Sequence, residues 1–219
     1  MELLQATLQK IEPVNPEIIE KAREKVDALC KPLHSLGKLE QIAVQLAGIT
    51  EKLELDVSNK AVISLAGDHG VHEENVTNNP QIVTVMQAIG FAKGFTGVCA
   101  IARAAGAKVV SVDVGIKEDL PETSGVINRK VKYGTDNMAK GPAMSREEAI
   151  RAIEVGIEIA NEQVKNGVNV LATGEMGICN TTPSSAILSA FAGCDPQKVT
   201  GMGAGVDSLE HKVEVIRKA

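Results

Sequence analysis

Residues 168–183 read Val-Asn-Val-Leu-Ala-Thr-Gly-Glu-Met-Gly-Ile-Cys-Asn-Thr-Thr-Pro. Val168 to Ala172 is an apolar run of strand length, and Pro183 to Ala192 repeats its apolar residues at helical spacing. The stretch is therefore a strand, a glycine-bearing turn and a helix N-terminus. Thr182 is suited to cap that helix and Pro183 to occupy its first position, where a missing N–H loses nothing. Such a turn directs free backbone N–H groups and the positive end of a helix dipole above the strand's carboxyl end. An anionic group, most often phosphate, fits there. One acid, Glu175, lies in the same turn and would be repelled by phosphate, so it must face another part of any ligand. Strand-to-helix turns also carry Gly, Asn and Thr for geometric reasons alone. The Walker spacing is absent, and Gly201-Met202-Gly203 does not complete a dinucleotide fingerprint, so neither an ATPase nor a dehydrogenase is indicated.

Outward from this turn, strands and helices alternate. Ser145 with Glu148 forms a capping box ahead of a helix whose apolar face is Ala149, Ile150, Ile153, Ile157, Ala160 and Val164, with Gly167 past its end. Lys60 to Ala66 and Lys108 to Val114 read as strands, with Val126 to Val131 and Val199 to Val206 as further short ones. Gln81 to about Ala105 is helical; Gly90, Gly94 and Gly97 permit a close contact or a break between two helices. Asp207 with Glu210 is expected to cap a last helix that turns Leu209, Val213 and Ile216 inward. The fold class expected is α/β, a doubly wound, mostly parallel Rossmann-like sheet over residues 56–219. Glu17 to Cys30, preceded by Asn15-Pro16, and a second helix through Gly48 come before any strand, so residues 1–55 are expected to form a helical subdomain.

At 219 residues with 44% hydrophobic and 23% charged residues, the chain can bury a proper core. A net charge of -5 with 0 Trp, 1 Tyr and 3 Phe argues against nucleic acid as a partner. No single apolar run is long enough to span a bilayer, no signal peptide opens the chain, and a cytoplasmic location without membrane attachment is expected. Cys30, Cys99, Cys179 and Cys194 lack the spacing of a zinc site or a disulfide framework.

Directly past the first strand stand Gly67-Asp68-His69-Gly70-Val71-His72, where open α/β sheets bind their ligands. Asp68, His69 and His72 are three metal-ligand types and would suit a metal-dependent hydrolase. Gly67 and Gly70 make the segment a loop, in which the same residues serve to brace it. Gln87 lies near the opening of the following helix, within reach of a pocket above the sheet.

Taken together with Lys31-Pro32 through Ser35-Leu36-Gly37, Ala66-Gly67-Asp68-His69-Gly70-Val71, Val112-Asp113-Val114-Gly115 and Gly141-Pro142-Ala143-Met144, the turn at 174–182 resembles the nicotinate-nucleotide:dimethylbenzimidazole phosphoribosyltransferases. Each motif alone is weak, but five in order, from the first helix to the last residue, are specific. The resemblance implies transfer of the ribose 5-phosphate of nicotinate mononucleotide to dimethylbenzimidazole or a related base, giving the lower-ligand nucleotide of cobalamin. It implies no metal and no cofactor, because the leaving group is already a pyridinium and the nucleophile needs only a base. Carried over by position, it assigns phosphate binding to Asn180, Thr181 and Thr182 with the backbone of Gly174 and Gly177, Ile178 and Cys179. Glu175 would face the ribose and reaction centre with Lys212 near it, as catalytic residues. Asn79, Gln87 and Met176 would line the base pocket; Asp68 and His69 stay with the supporting role read from their loop. His34 stands where the family often has glycine and Asn79 where serine is common. Members continue beyond the point matching Ala219, and that portion would carry a general-base glutamate and a second glycine-rich loop. A homodimer is expected on the same grounds, with a non-catalytic nucleotide-binding module as the alternative.

Overall fold

The computed structural model describes residues 2–219. The chain folds as two compact units, Glu2–Ser58 and Asn59–Ala219. The first is helical, with α1 (Glu2–Leu8), α2 (Pro16–Asp27) and α3 (Lys38–Thr50). Asn15 caps α2 as expected, its side-chain oxygen accepting from the N–H groups of Glu17 and Ile18. α2 and α3 pack closely at Gly48, where an added Cβ would stand 3.0 Å from Ile19 Cδ1. Lys31 and Glu40 form a buried ion pair at 2.9 Å.

The second unit carries β1 (Lys60–Gly67), α4 (Ile82–Lys93), α5 (Gly97–Ala104), β2 (Ala107–Gly115), β3 (Ile127–Asn128), α6 (Arg146–Lys165), β4 (Val170–Met176), α7 (Thr181–Ala192) and α8 (Leu209–Lys218). All four strands are parallel, in the order β3-β2-β1-β4. One face of the sheet gathers Ile63, Val112 and Leu171 against Val155 and Ile159 of α6. The other gathers Ala66, Ile116 and Met176 against Val85 and Ala88 of α4. The doubly wound reading therefore holds, with helices on both faces. The capping box is present, Ser145 Oγ accepting from Glu148 N–H and Glu148 returning the bond to Ser145 N–H. Gly167 follows the helix in the left-handed region, φ 84°.

Four expectations are corrected. Val199 to Val206 is a loop and not a strand, because Gly203 and Gly205 take positive φ and the carbonyls of Gly201, Met202, Ala204 and Gly205 are bonded to Lys212, Thr77 and Asn78 instead of a neighbouring strand. The third strand shrinks to the pair Ile127–Asn128. α8 is capped by Ser208, which accepts from His211 N–H, while Asp207 is turned away to Asn78. Ile82–Ala104, 23 residues, does pass the length and hydropathy test for a membrane span. It is two helices, however, broken where Gly94 takes φ 83°, and Thr84, Ala88 and Gly90 of α4 are buried in the protein.

Candidate functional site

The strand order makes β1 the pivot of the sheet. From β1 the chain passes through α4 and α5 to β2 on one side, and returns through α6 to β4 on the other. The crevice at the carboxyl ends of β1 and β4 is thus the topological switch point, where ligands of open α/β sheets bind. Two segments face each other across it: Gly67 to Gly70, and the end of β4 with the turn after it; Gly174 to Met176, expected in the turn, are paired in the sheet as the last residues of β4.

The turn is sharp because Cys179 adopts φ 65°, a left-handed conformation that costs a non-glycine residue energy and marks a constrained site. α7 consequently starts at Thr181, earlier than expected; Asn180 occupies the cap position and Thr182 lies within the first turn. Asn180 does not cap, because its side-chain amide donates to Glu175 Oε2 at 2.5 Å. Ile178 N–H is spent on Thr84 Oγ1 at 3.1 Å and Thr182 N–H on Cys179 O at 2.9 Å. Among the described residues, no hydrogen bond to protein occupies the N–H groups of Cys179 and Thr181, so the helix opens on uncapped donors, the requirement for an anion site.

The side chains divide unequally. Thr182 is 1% exposed with its hydroxyl enclosed, so it shapes the turn and cannot touch a ligand by Oγ1. Thr181 is exposed, and its hydroxyl accepts from Lys212 Nζ at 2.8 Å, leaving its own proton to donate outward. Lys212 is fully buried, and its other bonds go to Gly201 O at 2.8 Å and Met202 O at 3.1 Å. All three ammonium protons are used, so Lys212 fastens the 201–205 loop to the start of α7. Burial pushes its pKa below the usual lysine range. A cavity of about 320 Å³ lies between α7 and the segment before α8, lined by Thr181, Ser184, Ser185, Leu188, Val199, Gly201 and Gly203. Burial, reinforced by Asp68, pushes the Cys179 thiol up to about 12, so it is no nucleophile at neutral pH.

Glu175 is at the rim, its side chain 52% exposed, with Oε1 3.9 Å from His69 Nε2. Gly177 lets His69 approach, since a Cβ there would stand 2.8 Å from Nε2. Asp68 is buried and ties the ends of β1 and β2 together, Oδ2 accepting from Lys117 N–H and its main chain bonding Gly115 and Thr135. Asp68, His69 and His72 do not converge: His72 Nε2 bonds Asn79 O at 2.9 Å, and among the described residues the one group of three such ligands is Asp27, His34 and Glu40 in the helical unit. Met176 packs against the Ala66–Ala88–Ile116 cluster under α4, the helix that carries Gln87. Asn79 lies against the glycine loop, where a Cβ on Gly205 would stand 2.7 Å from its amide nitrogen.

Two residues missed in the sequence complete the arrangement. Thr84, fully buried on α4, holds the turn through Ile178, and Gln81 donates to His69 O at 3.1 Å. Their signal was the spacing Gln81, Thr84, Gln87, which sets three polar residues on one face of a largely apolar helix.

A family model described as a phosphoribosyltransferase matches residues 11–219. The chain is 57% identical over its whole length to nicotinate-nucleotide–dimethylbenzimidazole phosphoribosyltransferase of Alkaliphilus metalliredigens, covering 63% of that protein. With the enzyme of the same name from Clostridioides difficile it shares 50% identity, again covering 63%. The crystal structure of CobT from Thermus thermophilus superposes with a TM-score of 0.89 at 39% identity, over 93% of this chain and 62% of that one. The chain thus spans a little under two thirds of the length of these relatives, and it belongs to their family of phosphoribosyltransferases.

Proposed function

We propose that the chain binds nicotinate mononucleotide at the β1–β4 crevice and takes part in moving its ribose 5-phosphate onto 5,6-dimethylbenzimidazole or a similar base, releasing nicotinate and giving α-ribazole 5′-phosphate for cobalamin synthesis. The observation that carries this is the pairing of uncapped N–H donors in a strand-to-helix turn with a carboxylate, Glu175, at the end of the strand that leads into it. The donors suit the phosphate and the carboxylate suits the other end of the ribose. The names of the relatives support the substrates.

In this reading a benzimidazole nitrogen attacks C1′ while the C1′–pyridinium bond breaks, its electron pair returning to nicotinate. The protein holds phosphate and base in line and offers a negative group to the electron-poor C1′. The 201–205 loop and Thr181 would hold the phosphate, with Lys212 fastening both; Asn79, Gln87 and Met176 would border the base. No acid of this chain takes the general-base position by motif, and that role falls to the portion of the relatives this chain does not match. A cytoplasmic homodimer is part of the proposal, supported by Leu33, Leu36, Leu39 and Ile42, each over half exposed in the helical unit. Sedimentation measures the dimer directly.

Calorimetric titration of nicotinate mononucleotide, followed by a nicotinate-release assay with dimethylbenzimidazole, tests the function. Saturable binding that weakens in Thr181→Ala supports it, and absence of binding overturns it. Binding without turnover is the outcome of the second reading, a non-catalytic nucleotide-binding module.

A further inference from the structure

We propose that His69 is the positioning residue of this site, its Nε2–H donating a hydrogen bond to Glu175 and holding that carboxylate toward the ribose; the ribose assignment rests on the function proposed above. His69 Nε2 is buried and has no hydrogen-bond partner among the described residues. A buried polar atom without a partner is rare and calls for a reason. Its neighbourhood supplies one, since Glu175 Oε1 stands 3.9 Å away, about 1 Å beyond a good hydrogen bond.

The two sides of that gap differ in freedom. The histidine is held at its main chain, by Gln81 at His69 O and by Thr135 at Gly70 N–H, and its ring sits over Gly177, where any side chain would strike Nε2 and Cδ2. Glu175 is half exposed and sits at the crevice rim, so a small rotation brings its carboxylate to the ring. Its second oxygen is already engaged by Asn180, the residue that opens α7. Closing the pair would fix the carboxylate at both oxygens, one from each wall of the switch point. A neutral histidine with its proton on Nε2 can do this while leaving Glu175 ionised. The carboxylate is then aimed before the substrate arrives, which is how preorganised charge acts on a reacting centre.

Long-range ¹H–¹⁵N spectra of the ligand-free protein at pH 8 test the donor first. The expected result is the His69 proton on Nε2, with that nitrogen's resonance displaced in Glu175→Gln, a rim substitution that leaves the fold intact. A proton on Nδ1, or an Nε2 resonance indifferent to Glu175→Gln, overturns the proposal whatever the nucleotide does. A double-mutant cycle on nicotinate mononucleotide affinity follows. His69→Ala is expected to weaken binding about tenfold and His69→Gln, whose amide reaches the same place, less than threefold. In the Glu175→Gln background His69→Ala should add less than twofold. Full additivity overturns the pairing. Failure of the unsubstituted protein to bind the nucleotide overturns the functional reading instead, and the spectra still decide the pair.

Discussion

Gly177→Ala probes the turn at its tightest point. A Cβ at Gly177 would fall well inside van der Waals contact with Gly67 O and stand 2.8 Å and 3.0 Å from Nε2 and Cδ2 of His69. None of these can yield cheaply. Gly67 O belongs to the end of β1, and the His69 Nε2 edge is buried. Inserting one carbon into a packed interior typically costs about 1–3 kcal/mol, and two rigid neighbours place this substitution near about 3 kcal/mol. With a urea slope of about 2 kcal/mol/M, the midpoint should fall by roughly 1.5 M. Far-UV circular dichroism is the suitable probe, because the chain has 0 Trp. Gly201→Ala is the control: nothing lies within 4 Å of its Cβ, and a change within about 0.5 kcal/mol is expected. A Gly177→Ala midpoint equal to the parent's would refute the reasoning that β1 and the turn are locked together at this position.

Three other perturbations address the site's supports. Lys212→Met removes the donor shared by Thr181 Oγ1, Gly201 O and Met202 O, and should cost about 2–4 kcal/mol in urea denaturation while weakening nucleotide binding at least tenfold. Cys179, raised to about 12 from 9.0, stays protonated in the folded chain where the unfolded chain has lost its proton; stability therefore falls as pH rises from 9 to 12, and Cys179→Ala should flatten that decline in denaturation measured across pH. At pH 8, iodoacetamide with peptide mapping should label exposed Cys30 well before Cys179. His34→Gly relieves a left-handed residue, φ 61°, whose side chain is 79% exposed, and should stabilise the helical unit by about 1 kcal/mol in thermal denaturation.

What could be read from the sequence was what depends on neighbours in the chain. The capping box at Ser145, the cap at Asn15 and the β4–turn–α7 unit all follow from residues within a few positions of one another. The misreadings share the opposite property. Val199 to Val206 carries strand-like apolar residues, yet its carbonyls are claimed by Lys212 and by Thr77, which lies more than 120 positions earlier. Thr182 reads as a cap by type, but the left-handed turn at Cys179 moves the helix start ahead of it. Thr84 reads as one more core position of α4 until Ile178, 94 residues on, is seen to rest on its hydroxyl. The site was legible as an anion-seeking turn with an acid; which hydroxyls remain accessible in it was decided by packing.

The central claim is that the uncapped start of α7 holds the phosphate of a pyridine nucleotide. The most direct measurement is a pair of calorimetric titrations, nicotinate mononucleotide against nicotinate riboside, which differ only by that phosphate. Binding of the nucleotide at least tenfold tighter than the riboside is the predicted result, with the difference shrinking as salt rises. Equal affinities for the two would contradict the claim.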